Sequence, residues 1–292
     1  MISYKACKVS LSPKRIFDWI RYKIKFMKEH PDYFSPDGLV VFTGPQGSGK
    51  TLSAVNYVEN LLKIYPKSKL VTNLNLTNYP IVTFEDFFDK NVSRFYSNDL
   101  NILSTDNLVK LKKVLYEHYL TENRVFIFKN GDDLKRYSNH EFGVIFLIDE
   151  IQLYFNSLQS KNINVDVMTQ ISQQRKQRKH IVATSQVFGR MAKPLREQFS
   201  SVIVCKNFLG FLQSNRLVDR DSISDTADTT STSLEGTVKK RFFWFHSPVD
   251  YKKYDTYFVI QQNNFISEEE KKVGIYGTEN SVALNLKKEE EK

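Results

Sequence analysis

The residues best suited to chemistry lie between Gly44 and Thr51, in the stretch GPQGSGKT. This stretch fits the Walker A pattern of glycine, four variable residues, glycine, lysine, then serine or threonine. The glycines let the backbone curl so that several N–H groups point at one anion. Lys50 would reach the β- and γ-phosphates of ATP, and the Thr51 hydroxyl would hold Mg²⁺. We therefore predict a nucleotide-binding loop, called the phosphate loop below, made of Gly44, Pro45, Gln46, Gly47, Ser48, Gly49, Lys50 and Thr51.

An acidic pair, Asp149 and Glu150, ends the apolar run GVIFLIDE about 100 residues further on. A buried strand would deliver Asp149 to its carboxyl end, where the carboxylate could hold Mg²⁺ or its water shell. Glu150 could polarise the water that attacks the γ-phosphate. Taken alone, the pair could be a charged strand end. Together with the phosphate loop it predicts ATP hydrolysis rather than the chemistry of a small kinase.

A polar residue ends a further apolar run, HIVATSQ, at Gln186. In P-loop proteins that carry the extra glutamate, the corresponding strand inserts between the strands that bear the two motifs. Gln186 would then face the γ-phosphate and report its hydrolysis. The alternative is an ordinary polar strand end.

Two arginines, Arg175 and Arg178, precede this run in a stretch that predicts a helix over Asp166–Lys179. Three residues apart, they would share a helix face, and one could stabilise transition-state charge in a neighbouring subunit. The alternative is a solvated or DNA-facing basic patch. Arg190 and Arg196 are further candidates.

The elements that must position these residues alternate between strand and helix. An apolar run at Gly38–Phe42 precedes the phosphate loop, and apolar residues at helical spacing follow it. KLVTNLNL, RVFIF and SSVIVCKN read as further strands. The pattern predicts an α/β P-loop NTPase with a mainly parallel sheet flanked by helices, of the additional-strand, catalytic-glutamate type, and a small β-rich C-terminal appendage.

Four segments are predicted from composition and patterning. Residues 1–37 carry a basic amphipathic helix, and residues 38–218 form the ATPase core. Residues 219–237, almost without apolar side chains, form a mobile linker or loop. In residues 238–292, KKRFFWFHS and YDTYFVIQQ would pair as a hairpin before a disordered tail.

The N-terminal helix has apolar residues on one face, interleaved with lysine and arginine. One alternative is a helix packed on the core with a solvated basic face. The other is a docking element for a partner or for a membrane surface, formed by residues 12–30.

The composition limits the kinds of binding partner and the cellular location that we expect. The net charge of +9, from 42 basic and 33 acidic residues, favours a polyanionic partner such as DNA, or an anionic membrane. The alternative is that the excess charge serves only solubility. Two cysteines, Cys7 and Cys205, exclude a disulfide framework and suit a reducing cytoplasm. Neither a membrane span nor a signal peptide is expected from the sequence.

The motifs together resemble the zonular-occludens-toxin-like (Zot) ATPases of bacteriophages, which are allied to the FtsK–HerA DNA motors. The likeness rests on TGPQGSGKT, VTNLNL, LIDEIQLYF, QQRKQRKHIVATSQ, PLREQFSSVIV and YDTY, over roughly residues 38 to 210 and the YDT-containing end. It implies phage morphogenesis or DNA packaging by ring oligomers. It also carries over Lys50, Thr51, Asp149, Glu150 and Gln186 as site residues.

One departure bears on the function. Filamentous-phage members carry a membrane span and a periplasmic tail after the ATPase domain, and this sequence shows neither. We therefore expect an ATP-driven motor in the host cytoplasm that loads DNA into a preformed shell, with a capsid or portal protein as a further partner. The alternatives are a membrane-associated ATPase acting on coat protein, peripheral to membrane or virion, and a nucleotide-gated scaffold.

Overall fold

The computed structural model describes residues 13–36, 38–95, 105–158, 165–223 and 236–255. One eight-stranded sheet runs through them in the order β3-β2-β4-β5-β1-β6-β7-β8. The strands are β1 (Leu39–Thr43), β2 (Lys69–Thr72), β3 (Val125–Ile127), β4 (Val144–Ile148), β5 (Lys179–Ser185), β6 (Phe199–Phe208), β7 (Leu212–Val218) and β8 (Val238–Phe245).

The first six strands are parallel, and they carry the site at their carboxyl ends. β5 lies between β1 and β4, with Val41 beside Ala183 and Ile148 beside Ala183 on the other side. β1, β4 and β5 are buried along their whole length, as expected for strands covered on both faces. The inserted strand and the parallel sheet confirm the predicted P-loop NTPase fold of the additional-strand type.

Helices cover both faces of the sheet. They are α2 (Lys50–Ile64), α3 (Phe84–Phe95), α4 (Thr105–Glu122), α5 (Asp133–Arg136), α6 (Val165–Ser172) and α7 (Lys193–Arg196), and a further helix, α1 (Pro13–Glu29), precedes β1. α2 packs Val55, Val58 and Leu62 against one face, in a cluster that includes Val40 and Phe42. A second cluster covers the other face around Val41 and Phe146.

The outer strands extend this sheet in antiparallel fashion. β7 pairs with β6 and with β8, so β8 adjoins the core sheet through β7. The sequence predicts a hairpin between β8 and YDTYFVIQQ, residues 254–262. Only the first two of these residues lie within the described part of the chain, so the hairpin stays a prediction. The tail and residues 224–235 of the predicted linker lie outside the described residues. The segment boundaries at 218 and 237 stay predictions.

The end of the described chain returns to the core. Lys253 makes ion pairs with Glu59 of α2 at 3.3 Å and with Asp250 at 2.8 Å. Tyr254 forms a β-bridge with Leu76, which follows β2. The YDTY motif therefore begins where the C-terminal segment contacts the helix that follows the phosphate loop.

The predicted helix over Asp166–Lys179 is too long. α6 ends at Ser172, and residues 173–178 form turns that lead into β5. Arg178 has a φ of 53°, which no α-helix accommodates. The prediction that Arg175 and Arg178 share a helix face is therefore wrong.

α1 is amphipathic, as predicted, but none of its residues is buried. Its contact with the rest of the chain is at its end, where the Phe26 ring lies 4.9 Å from that of Tyr33. The alternative in which the core covers its apolar face is therefore wrong. No helix within the described ranges has the length and apolarity needed to cross a bilayer.

Candidate nucleotide-binding and catalytic site

The phosphate loop joins the end of β1 to the start of α2. Gly47 and Gly49 each have a φ of 76°, a left-handed conformation that glycine adopts without strain. A Cβ atom on Gly49 would lie 2.1 Å from Oε1 of Gln213, so the position also lacks space for a side chain. The Ser48 hydroxyl is buried without a hydrogen-bond partner. This cradle at a helix N-terminus suits an anion with several acceptor oxygens.

Asp149 is fixed at the end of β4 by three side chains. Its Oδ1 accepts hydrogen bonds from Thr51 Oγ1 at 2.9 Å and from Thr184 Oγ1 at 2.6 Å. Asn73, which follows β2, accepts from the Asp149 backbone N–H and donates to its carbonyl, both at 2.8 Å. Burial raises the pKa of the Asp149 carboxyl, and the bonds from Thr184 and Thr51 oppose that rise.

Glu150 occupies a strained backbone position, with φ 51° and ψ 53°. A non-glycine residue in this region costs about 1–3 kcal/mol, and such residues cluster at functional sites. Its N–H donates to Thr184 Oγ1 at 2.9 Å. This bond holds the backbone so that the carboxylate faces the phosphate loop.

The Glu150 carboxylate lies among three partners. Lys50 Nζ is 3.2 Å from Oε1, and Gln186 Nε2 donates to the same oxygen at 3.3 Å. Gln152 Nε2 donates to Oε2. The structure thus brings together Lys50, Thr51, Asp149, Glu150 and Gln186, all of which the sequence singled out.

The structure separates the predicted arginines from this cluster. Arg178 immediately precedes β5, so it lies at the amino-terminal edge of the parallel strands, and its guanidinium lies 4.6 Å from the Tyr33 ring centre. The phosphate loop follows the opposite edge, and seven strand residues at about 3.3 Å each separate the two edges. Arg175 and Arg178 therefore do not reach the phosphate loop of their own chain, and the role of one of them in a neighbouring subunit stays a prediction. Arg190 is exposed in the short turn Phe188–Arg190 after β5.

Four residues of the site escaped the sequence analysis as positioning groups: Asn73, Gln152, Thr184 and Gln213. Gln213 on β7 donates to the Ser48 carbonyl at 2.9 Å and to Asn215 Oδ1 at 2.8 Å. His246 contacts the Gln213 Oε1 at 3.1 Å. One sequence feature could have indicated Asn73 and Thr184. Both are polar residues at or just after the end of an apolar strand, in VTN after β2 and in ATSQ at the end of β5.

The residues present fit ATP and Mg²⁺. Thr51 Oγ1 and Asp149 Oδ1 are hard oxygen donors 2.9 Å apart. Mg²⁺ in nucleotide sites is commonly held by one or two protein oxygens together with substrate phosphates and water. Lys50 and the loop N–H groups supply the positive charge for those phosphates.

A family model described as Zot, zonular occludens toxin, matches residues 38–256. The chain belongs to the Zot family. The match spans all the site residues above and extends past β8 to Thr256. A search of curated proteins finds no match to the chain.

Solved structures similar to this Zot-family chain resemble it only distantly. The N-terminal domain of zonular occludens toxin from Neisseria meningitidis is 16% identical, with a TM-score of 0.44, covering 76% of this chain and 100% of that one. The genome packaging NTPase B204 of Sulfolobus turreted icosahedral virus 2 is 17% identical, with a TM-score of 0.38, covering 58% and 76%. The DNA-packaging ATPase B204 from Sulfolobus turreted icosahedral virus is 16% identical, with a TM-score of 0.37, covering 58% and 75%.

Proposed function

We propose that this Zot-family protein is an ATP-hydrolysing motor that translocates or packages DNA during phage virion assembly. The observation that carries the proposal is the Glu150 carboxylate, which lies 3.2 Å from Lys50 and directly follows the Asp149 carboxylate that Thr51 contacts. A site that only bound nucleotide would need the loop and the metal-holding oxygens. A carboxylate aimed at the loop lysine adds the group that hydrolysis requires.

In this mechanism each residue has one task. The loop N–H groups and Lys50 would bind the phosphates of ATP, and Thr51 and Asp149 would hold Mg²⁺, which would neutralise phosphate charge. Phosphate oxygens and Glu150 compete for the Lys50 ammonium, so nucleotide binding frees the carboxylate. Glu150 then accepts a proton from the attacking water. Gln186, bonded to Glu150, is positioned to sense whether the γ-phosphate is present.

DNA is the proposed substrate for two reasons. The net charge is +9, and the sequence motifs resemble those of Zot ATPases, which are allied to the FtsK–HerA DNA motors. The motor is proposed to act as a homo-oligomeric ring in the host cytoplasm, delivering DNA to a capsid or portal protein. An arginine supplied by a neighbouring subunit would complete each site. Arg190 suits this role because it is exposed beyond the carboxyl end of β5, whereas Arg175, Arg178 and Arg196 stay weaker candidates.

The proposal is tested by measuring ATP turnover with and without DNA, alongside the mass of the assembly. A ring-sized mass and turnover that rises with DNA are expected. Turnover that DNA leaves unchanged would contradict the motor, and nucleotide binding without turnover would indicate a nucleotide-gated scaffold.

Asn73→Ala should raise the Mg²⁺ concentration that hydrolysis requires. Asn73 brackets the Asp149 backbone with two hydrogen bonds, and loss of such a supporting partner typically costs about 10–100-fold in metal affinity or activity. The measurement is the Mg²⁺ concentration that gives half-maximal turnover. Asn139→Ala is the matched control, because Asn139 also makes two hydrogen bonds, to the Lys67 and Gly143 carbonyls away from the site. Equal magnesium dependence in the two variants would show that Asn73 does not position Asp149.

A second candidate function, an assembly ATPase peripheral to the membrane, is favoured by α1. Its apolar face is exposed at Ile16, Phe17, Trp19, Ile20, Ile24 and Met27. Lysines and arginines outnumber acidic residues on the same helix. That combination is typical of a helix that lies in the headgroup region of an anionic bilayer.

Flotation with vesicles separates this candidate from the first. The protein should float with phosphatidylglycerol vesicles and not with phosphatidylcholine vesicles. Ile20→Asn together with Ile24→Asn should reduce binding by roughly 10-fold or more, because each change removes a side chain that would be buried in lipid. Val249→Asn, at an exposed position outside α1, is the control. Binding that both variants retain would exclude α1 as the membrane contact.

A further inference from the structure

The outer strands β6, β7 and β8 present a face that the site does not use. Side chains alternate along a strand, so Gln213 and Asn215 of β7 point to the side of the phosphate loop and their neighbours point away. The register places these neighbours on one surface, the outer face: Lys206 and Phe208 of β6, Leu212, Ser214 and Arg216 of β7, and Arg241, Phe243 and Phe245 of β8.

Aromatic rings on this face are open to solvent. Phe243 is 62% exposed and Phe245 is 69% exposed, although burial of such a ring ordinarily stabilises a fold. Phe211, in the turn before β7, stacks on Phe245 with ring centres 6.2 Å apart and planes 16° apart. The rings thus form a solvent-exposed aromatic platform at the β7–β8 end of the sheet.

Lys206, Arg216 and Arg241 surround the platform, whereas the nearby Lys239 is paired with the Asp219 carboxylate at 2.9 Å. None of the three strands contains aspartate or glutamate. Arg216 lies directly opposite Arg241 in the β7–β8 ladder, an arrangement that like-charge repulsion destabilises. Lys206 lies over the Phe208 ring, with Nζ 4.8 Å from its centre. An anion between the two arginines would relieve the repulsion.

We propose that the outer face binds single-stranded DNA, with bases stacked on the phenylalanine rings and phosphates held by Arg216, Arg241 and Lys206. Interleaved rings and cations are the two features that single-strand binding requires. A duplex keeps its base faces stacked internally and would leave the rings unused. A second copy of this chain would bring the same cations against the face.

The same strand links this face to the nucleotide. β7 carries Arg216 on the outer face, and on the other side Gln213, which donates to the Ser48 carbonyl of the phosphate loop. Strand binding therefore acts on the element that braces the loop. The inference rests on the proposed function, because it takes DNA as the partner, and it specifies the form of DNA.

The test is fluorescence anisotropy with a labelled oligothymidine of roughly 16 nucleotides and with a duplex of the same length. Phe243→Ser with Phe245→Ser should weaken oligothymidine binding by roughly 25-fold or more, since each stacked ring is worth about 5- to 150-fold. Phe242→Ser is the matched control, because Phe242 is 41% exposed on the opposite face of β8. Binding of a fluorescent ATP analogue verifies that each variant is folded.

A charge variant gives a second, independent signature. Arg216→Gln with Arg241→Gln should lower the slope of log affinity against log salt by about 1.4, because each single-strand phosphate contact contributes about 0.7. The phenylalanine variant should lose affinity with its salt slope unchanged. Duplex binding should respond to neither pair of changes as strongly as the single strand does.

Three results would overturn the inference. One is an affinity of the double phenylalanine variant within two-fold of the Phe242→Ser control. Another is duplex binding with the same sensitivity to these changes. The third is a change in the assembly mass of these variants while they still bind oligothymidine normally. That result would show that the face is a contact between copies of the chain. If DNA stimulates turnover while these variants bind normally, only this inference fails. If the face binds oligothymidine and DNA leaves turnover unchanged, only the motor proposal fails.

Discussion

Glu150→Gln should leave ATP binding intact and lower turnover by on the order of 100-fold or more. Glutamine keeps the length of the side chain and can still contact Gln186 and Gln152, so the left-handed turn at residue 150 should persist. It cannot accept the proton of the attacking water. Asp149 keeps its bonds to Thr51 and Thr184, so the metal-holding oxygens stay in place.

The loss of negative charge has a second expected consequence. Lys50 loses its ion pair with Glu150, so phosphate no longer competes with a carboxylate for the ammonium, and ATP affinity should be unchanged or higher. The measurements are steady-state turnover and equilibrium binding of a fluorescent ATP analogue. Glu141→Gln, in the turn before β4 at the far edge of the sheet, is the control. Turnover that stays within a few-fold of the unmodified protein would reduce Glu150 to a strand-end charge.

The sequence was sufficient for those parts of the fold where local pattern and burial agree. β1 and β4 are uninterrupted apolar runs next to recognisable motifs, and both are fully buried in the parallel sheet. β5 was predicted between them, because the acidic pair and the polar end of HIVATSQ belong to one structural type. For each of these strands, the motif at its carboxyl end also indicates which strands lie beside it in the sheet.

β7 could not be predicted in this way. Its sequence LQSNRLV places Gln213, Ser214 and Asn215 at buried positions, where a strand pattern has apolar residues. Gln213 is hydrogen-bonded to the Ser48 carbonyl of the phosphate loop and Asn215 to Ser53 of α2, contacts between residues more than 160 positions apart. No local pattern contains that information. Asn73 was missed for the same reason, because its role depends on β2 lying beside β4.

The arginines show a different limit. QQRKQRK consists of good helix formers, so propensity extends the helix to Lys179. The chain must instead reverse to enter β5, and the turn at Arg178 makes that reversal. Arg178 O accepts the Val144 N–H at 3.0 Å, which fixes the start of β5 against β4. Tertiary pairing overrides helix propensity here, and it moves both arginines to the edge opposite the nucleotide.

Lys50→Ala should abolish ATP binding at the concentrations that saturate the unmodified protein. Lys50 is the buried cation of the site, with a side chain 8% exposed, at the first position of α2. Removing one partner of a buried, hydrogen-bonded charge pair costs about 2–5 kcal/mol, which corresponds to roughly 30- to 5,000-fold in affinity. In the absence of nucleotide the variant should still fold, because Glu150 keeps its bonds to Gln152 and Gln186.

The matched control is Lys63→Ala, which removes the same charge from the exposed last turn of the same helix. Comparison of the two variants separates a specific phosphate contact from a general loss of positive charge on α2. Lys50→Arg supplies a third arm, since it restores the charge with a bulkier, planar head and should recover only part of the affinity. Equilibrium binding of a fluorescent ATP analogue, with thermal unfolding as the test of folding, measures all three. If Lys50→Ala binds ATP as Lys63→Ala does, the loop between Gly44 and Thr51 does not bind the phosphates, and the assignment of Glu150 as the base fails with it.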